Sequence, residues 1–141
     1  MDQIVTKAGR LVLLDKLSGF ASPGGLAAAV YHLFTNNVTP TVDSVTGDFT
    51  DPVHASLASQ AATGWGAAAL GVADVGQAVA TPLTWTNLSG GTVNLYGFYV
   101  TDGITGAFLF AARFDSAPQP LLNNQALILT PQFQDTTIYT S

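Results

Sequence analysis

The stretch TVNLYGFYVTDGITGAFLFAARF, residues 92–114, decides the fold. Successive strand side chains take opposite faces, so Val93, Leu95, Gly97 and Tyr99 share one side and Asn94, Tyr96, Phe98 and Val100 the other. The second arm places Phe108, Phe110, Ala112 and Phe114 against Leu109 and Ala111. Both faces of both arms are largely apolar, which predicts a hairpin at the centre of the molecule. Asp102-Gly103 and Thr105-Gly106 supply turn residues between the arms that tolerate positive φ.

Outward from this hairpin the pattern is repeated in shorter pieces. In LAAAVYHLFT, residues 26–35, Val30, His32 and Phe34 share one face and Tyr31, Leu33 and Thr35 the other, which predicts a strand. TPLTWTN, residues 81–87, sets Leu83, Trp85 and Asn87 against Thr84 and Thr86, the alternation of a strand with one wet face. Ser89-Gly90-Gly91 turns it into the hairpin. After Phe114 a loop runs over residues 115–120, where Pro118 and Pro120 keep the chain out of any ladder. Residues 125–130 form a strand with Leu127 and Leu129 opposite Ala126 and Ile128, Pro131 stops it, and residues 133–139 add an edge strand. In the Ala- and Gly-rich stretch 55–80 small side chains could form a helix over 56–62, but Gly64, Gly66, Gly71 and Gly76 argue for irregular strands broken by turns, with a loop at 71–77. Closely spaced strands separated by Gly, Asn and Pro turns predict a mainly β domain: an antiparallel β-sandwich or small barrel of about six to eight strands.

Residues 1–22 separate from this domain at Pro23-Gly24-Gly25, which leaves a β domain over 23–141. Ile4, Ala8, Leu11, Leu14 and Leu17 fall near helical spacing, with Asp2 as N-cap and Gly19 beyond the end. Gly9 and the run at 11–14 compete for a strand. The segment is therefore a short helix on its own domain or an arm that reaches a neighbouring subunit.

At 141 residues the chain has the size of one domain able to bury a core unaided. It has no Cys, which excludes disulfides, zinc-thiolate sites and cysteine nucleophiles. Charged residues make up only 9%, roughly a third of the usual share, so the surface is polar but thinly charged and suits burial in an assembly. The net charge is −5 and three of the four basic residues lie in the first sixteen, which argues against nucleic acid as a partner. No apolar run is long enough to span a bilayer, so a membrane partner is not expected.

Candidate chemistry is sparse. Asp43, Asp48 and Asp51 offer oxygen ligands in a Ser- and Thr-rich loop, but their spacing fits solvated Asx-turns better than a calcium loop, and no metal or cofactor is expected. Ser56, His54 and Asp51 supply the residue types of a triad without the strand-turn-helix elbow that presents a serine, and His32 is the other imidazole. No catalytic residue is assigned. Asn37-Val38-Thr39 and Asn87-Leu88-Ser89 match the glycosylation pattern without a secretory signal to give it meaning. Trp65 reads as a core plug or, more sharply, as a stacking platform for a sugar.

LFTNNVTP (33–40), DFT (48–50), LTWTNLSGGTV (83–93) and YGFYVTD (96–102), in this order, resemble a group of small tailed-bacteriophage proteins encoded among virion structural genes. The likeness spans residues 26–131, interrupted by the Ala- and Gly-rich middle. It implies a structural protein of the virion with no enzymatic activity and no catalytic residues to transfer. Within that group the length and the lack of basic residues favour a capsid decoration, or cement, protein. Such a protein sits on the capsid exterior, binds the major capsid protein, bridges neighbouring shell subunits and commonly forms a homotrimer. The alternative is a tail or fibre module that binds a host surface glycan, with Trp65, Trp85, Tyr96 or Tyr99 as stacking faces.

Overall fold

The computed structural model describes residues 3–7, 28–65, 69–70 and 76–135. Among them the backbone forms twelve short strands: β1 (Gln3–Val5), β2 (Ala29–Phe34), β3 (Gln60–Ala61), β4 (Ala69–Leu70), β5 (Gly76–Val79), β6 (Leu83–Thr86), β7 (Val93–Leu95), β8 (Gly97–Asp102), β9 (Phe108–Arg113), β10 (Gln119–Leu121), β11 (Ala126–Leu129) and β12 (Gln132–Asp135). The expected hairpin, β8 with β9, lies inside an antiparallel sheet of order β1-β9-β8-β2-β3. Its turn closes through the buried Asp102, whose Oδ1 accepts the Ile104 N–H at 2.8 Å, and the left-handed residue is Gly106 at φ 74°. Thr101 pairs with Phe108 and Val100 with Phe110, so Leu109 is the extra residue of a bulge.

The remaining strands form β10-β7, β11-β6 and β12-β5-β4, and the whole is an open sandwich rather than a closed barrel. β5 and β6 face β12 and β11 as one interrupted ribbon: Val79 opposes Gln132, Ala80 donates to Pro131 and Leu83 opposes Leu129. From Ala80 to Leu83 the first strand takes one step more than the second, from Pro131 to Leu129, which puts a bulge beside Pro82 and Pro131, where neither proline forfeits a ladder bond.

One core lies between the layers. Tyr31, Leu33, Phe98, Val100, Phe110 and Ala112 of the large sheet meet Leu83, Trp85, Leu95 and Leu121 of the other layer. The opposite face of the large sheet carries Phe34, Tyr99, Phe108 and Ala111, and Phe49 from the long loop after β2 caps them. Two covered faces explain why four consecutive residues of β8, Gly97 to Val100, are all buried.

Several expectations need correction. The first arm of the quoted stretch is divided at Tyr96: β7 pairs with β10, whereas β8 pairs with β2 and β9, so the chain changes layer there. Pro120 stands in a ladder after all, opposite Asn94, because β10 has a partner on one side only and a nitrogen facing outward loses nothing. At the N-terminus Gln3–Val5 is a strand on the edge of β9 rather than the first turn of a helix. The rest of that helix, residues 8–18, and the boundary at 22 lie outside the described residues, as do residues 71–75 of the expected loop and 136–139 of the last strand. Gly76 and Gln77, expected in that loop, begin β5.

Asn87 fixes the junction between the layers. Fully buried, it donates from Nδ2 to the carbonyls of Gly91 and Leu121 at 2.7 Å each and accepts the Ser89 N–H at 3.0 Å. Such an asparagine leaves no room for a glycan. Asn87→Ala is expected to cost about 1–3 kcal/mol by stranding these groups, measured by urea unfolding; a change within about 0.5 kcal/mol would show that the junction does not need it.

Candidate functional site

Residues 35–51 cross the outer face of the large sheet, fastened by polar side chains, and residues 55–58 pass to the other layer, where Leu57 joins the inner core and the Ala58 carbonyl accepts the Trp85 N–H. Asn36 Nδ2 donates to the Asp48 carbonyl and its Oδ1 accepts the Thr50 N–H, both at 2.8 Å, while the Thr35 N–H reaches the Thr50 carbonyl at 2.8 Å. These bonds seat Phe49 on Phe34 and Tyr99, at centroid distances of 4.9 and 5.0 Å. Arg113 secures the neighbouring turn through Asn37 Oδ1 and the Val38 carbonyl, and its guanidinium lies 5.3 Å over the Tyr96 ring.

Two residues further on, Asp51 returns to the sheet. Its Oδ1 accepts the Tyr99 hydroxyl at 2.6 Å. Its Oδ2 lies 3.8 Å from His32 Nδ1, too far for a hydrogen bond but close enough for Coulombic attraction to a protonated ring. His32 and Tyr99 are cross-strand partners whose rings stack at 4.5 Å and 7°, and His32 Nε2 meets Thr101 Oγ1 at 3.0 Å. Burial pulls the His32 imidazole below its ordinary proton affinity, with the Asp51 charge opposing. Burial, then the hydrogen bond to Asp51 and its charge, push the Tyr99 phenol up, so it stays protonated. A cleft of about 200 Å³ beside the cluster is lined by His32, Asp51, Leu57, Ala58 and Ser59 among others. Tyr99→Phe is expected to cost about 1.5 kcal/mol, the low end for a bond to a charged acceptor because Asp51 is half exposed. A thermal or urea midpoint equal to that of the parent would contradict this contact.

The triad residues do not assemble. Asp51 turns to Tyr99 and His32, while His54 Nδ1 contacts Ser56 Oγ at 2.8 Å and accepts the Ser56 N–H at 3.1 Å. Ser56 Oγ in turn accepts the Leu88 N–H at 3.1 Å. His54 is the cap of a 3-10 turn, Ala55–Leu57, and Ser56 ties that turn to the loop after β6. The three loop aspartates are likewise separated: Asp43 pairs with Lys7, Asp48 accepts the Val45 N–H, and Asp51 serves Tyr99. Among the described residues no three His, Asp or Glu side chains come together as metal ligands. Nor do the aromatic candidates form a sugar platform. Trp85 is fully buried with its N–H on the Ala58 carbonyl at 2.8 Å, Tyr99 lies under Phe49, Tyr96 under Arg113, and Trp65 packs half-buried on the core.

What the sequence reading missed is the end of the sandwich where three loops meet. Ser56 binds Leu88, Asn123 Oδ1 accepts the Gly90 N–H at 2.9 Å, and the Asn124 N–H reaches the Asn87 carbonyl at 2.6 Å. These loops expose Val53 completely and Leu88 and Leu122 by more than half. An open groove of about 730 Å³ runs between Pro52, Val53, His54 and Ala55 on one wall and Ser89, Thr92, Val93 and Asn94 on the other. No Asp, Glu, Lys or Arg lines it. The signal available in the sequence was an apolar residue beside each polar turn: Val53, Leu88 and Leu122.

No protein-family model matches this chain, and no curated protein sequence matches it significantly. Among the described residues no helix is long and apolar enough to cross a membrane.

Proposed function

We propose that this protein is a non-enzymatic structural component of a tailed-phage virion, a decoration protein that binds the major capsid protein on the shell exterior and bridges neighbouring subunits. The observation that carries this reading is the uncharged loop end, where Val53, Leu88 and Leu122 stand exposed on three loops bonded to one another. Apolar side chains presented together on a firmly braced surface suit a permanent contact with another protein better than contact with water. The phrases that carry the family resemblance support the same reading. Asn36, Thr50, Asn87 and Tyr99 are used to fasten loops to strands, and together they build a scaffold rather than line a reaction site.

The test is co-sedimentation with empty shells of the cognate major capsid protein, followed by thermal release of the shell. Saturable binding and a raised release temperature are expected. Shells that neither retain the protein nor gain stability from it would overturn the reading.

A further inference from the structure

The loop of residues 35–59 is attached to the sheet by contacts that differ in their response to acid. Asn36 and Phe49 hold its first part through groups that do not titrate. Asp51, immediately before the groove wall formed by Pro52, Val53, His54 and Ala55, depends on the Tyr99 hydroxyl and faces His32. We propose that His32, Asp51 and Tyr99 form a proton-operated clasp: acid releases the 51–55 segment from the sheet and so moves one wall of the groove at the loop end.

The geometry favours a neutral ring in the closed form. His32 is stacked flat on Tyr99, bonded at Nε2 to Thr101 and only 18% exposed, so a charge there is poorly hydrated. The Asp51 carboxylate 3.8 Å away opposes this without outweighing it. The groups around it are Asp51 from the loop, Tyr99 and Thr101 from β8, and Leu57, Ala58 and Ser59 across the cleft; of these Asp51 alone carries a charge. Burial makes the closed ring the weaker base, since a charge there loses hydration that Asp51 restores only in part. Lifting the loop returns the ring to water and to its ordinary proton affinity. The open form therefore binds the proton more tightly, and acid shifts the population toward it. With the closed-state value depressed, the stabilisation from a neutral His32 is complete above the ordinary value of 6.5 and is lost as the pH falls from there through the closed-state value. This inference goes beyond the proposed function and stands without it, because it concerns the isolated chain.

Amide hydrogen exchange of the full chain at about pH 8 and about pH 5, corrected for intrinsic exchange, reads the clasp directly. Severalfold loss of protection at Leu57 and Ala58 on acidification is expected, with Val100 and Ala111 unchanged. His32→Gln keeps a polar partner for Thr101 without titrating, and its loop should exchange alike at both values. Parent protection that is flat with pH, or an unchanged pH response in H32Q, would overturn the clasp. Should H32Q fail to fold, the His32 ring titration in the parent decides by NMR: a midpoint below 6.5 supports the clasp, and one at or above it refutes it.

Discussion

Trp85→Ala is expected to lower the unfolding free energy by about 3–5 kcal/mol, a large part of the roughly 5–15 kcal/mol that holds a domain of this size. The indole is fully buried on β6, among the side chains that join the two layers. Truncation opens a cavity there that neighbours on two different sheets cannot both close. It also removes the bond from Nε1 to the Ala58 carbonyl at 2.8 Å, which ties β6 to the segment leading into β3. Trp85→Phe separates the two effects, since it keeps most of the apolar surface and loses the bond, at an expected cost of about 1–3 kcal/mol. Urea unfolding of both variants checks the ordering. Equal losses would mean that the hydrogen bond, and not the packing, joins the layers.

Gly97→Ala is expected to destabilise by about 3 kcal/mol or more, although it adds a single methyl group. A Cβ at this position would stand 2.1 Å from the Ala112 carbonyl oxygen and 2.8 Å from the Phe34 ring. The first clash is with backbone, so no rotamer relieves it; β8 would have to part from β9 just where the chain enters the large sheet from β7. Phe34 is the cross-strand partner of Gly97, and its ring occupies the space the absent side chain leaves. The double variant Gly97→Ala with Phe34→Leu should therefore recover little, because the carbonyl contact remains. Full recovery in the double variant would show that the ring alone dictates glycine.

Much of the sandwich was legible because alternation reports directly on burial. The faces read for β2, β6 and β11 are the faces found: Leu83, Trp85 and Asn87 are buried while Thr84 is exposed. The doubly apolar β8 was readable for the same reason. Alternation does not reveal which strand lies alongside, so the change of layer at Tyr96 and the ladder at Pro120 were invisible. At the N-terminus the helical spacing gives way over Gln3–Val5 alone, because these residues fill the open edge of β9. The clasp was illegible for another reason. His32, Asp51 and Tyr99 are far apart in sequence, and only the path of the 35–59 loop brings the carboxylate back to the sheet. At the loop end, Val53, Leu88 and Leu122 stand beside polar turns far apart in sequence, and only the hydrogen bonds between the loops that carry them set those loops side by side.

Cryo-electron microscopy of the native particle tests the central reading most directly. The account predicts copies of this sandwich on the outside of the shell, with the Val53, Leu88 and Leu122 end in contact with capsid subunits. Copies found only in the tail or on fibres, or shell-bound copies with that end facing solvent, would contradict it.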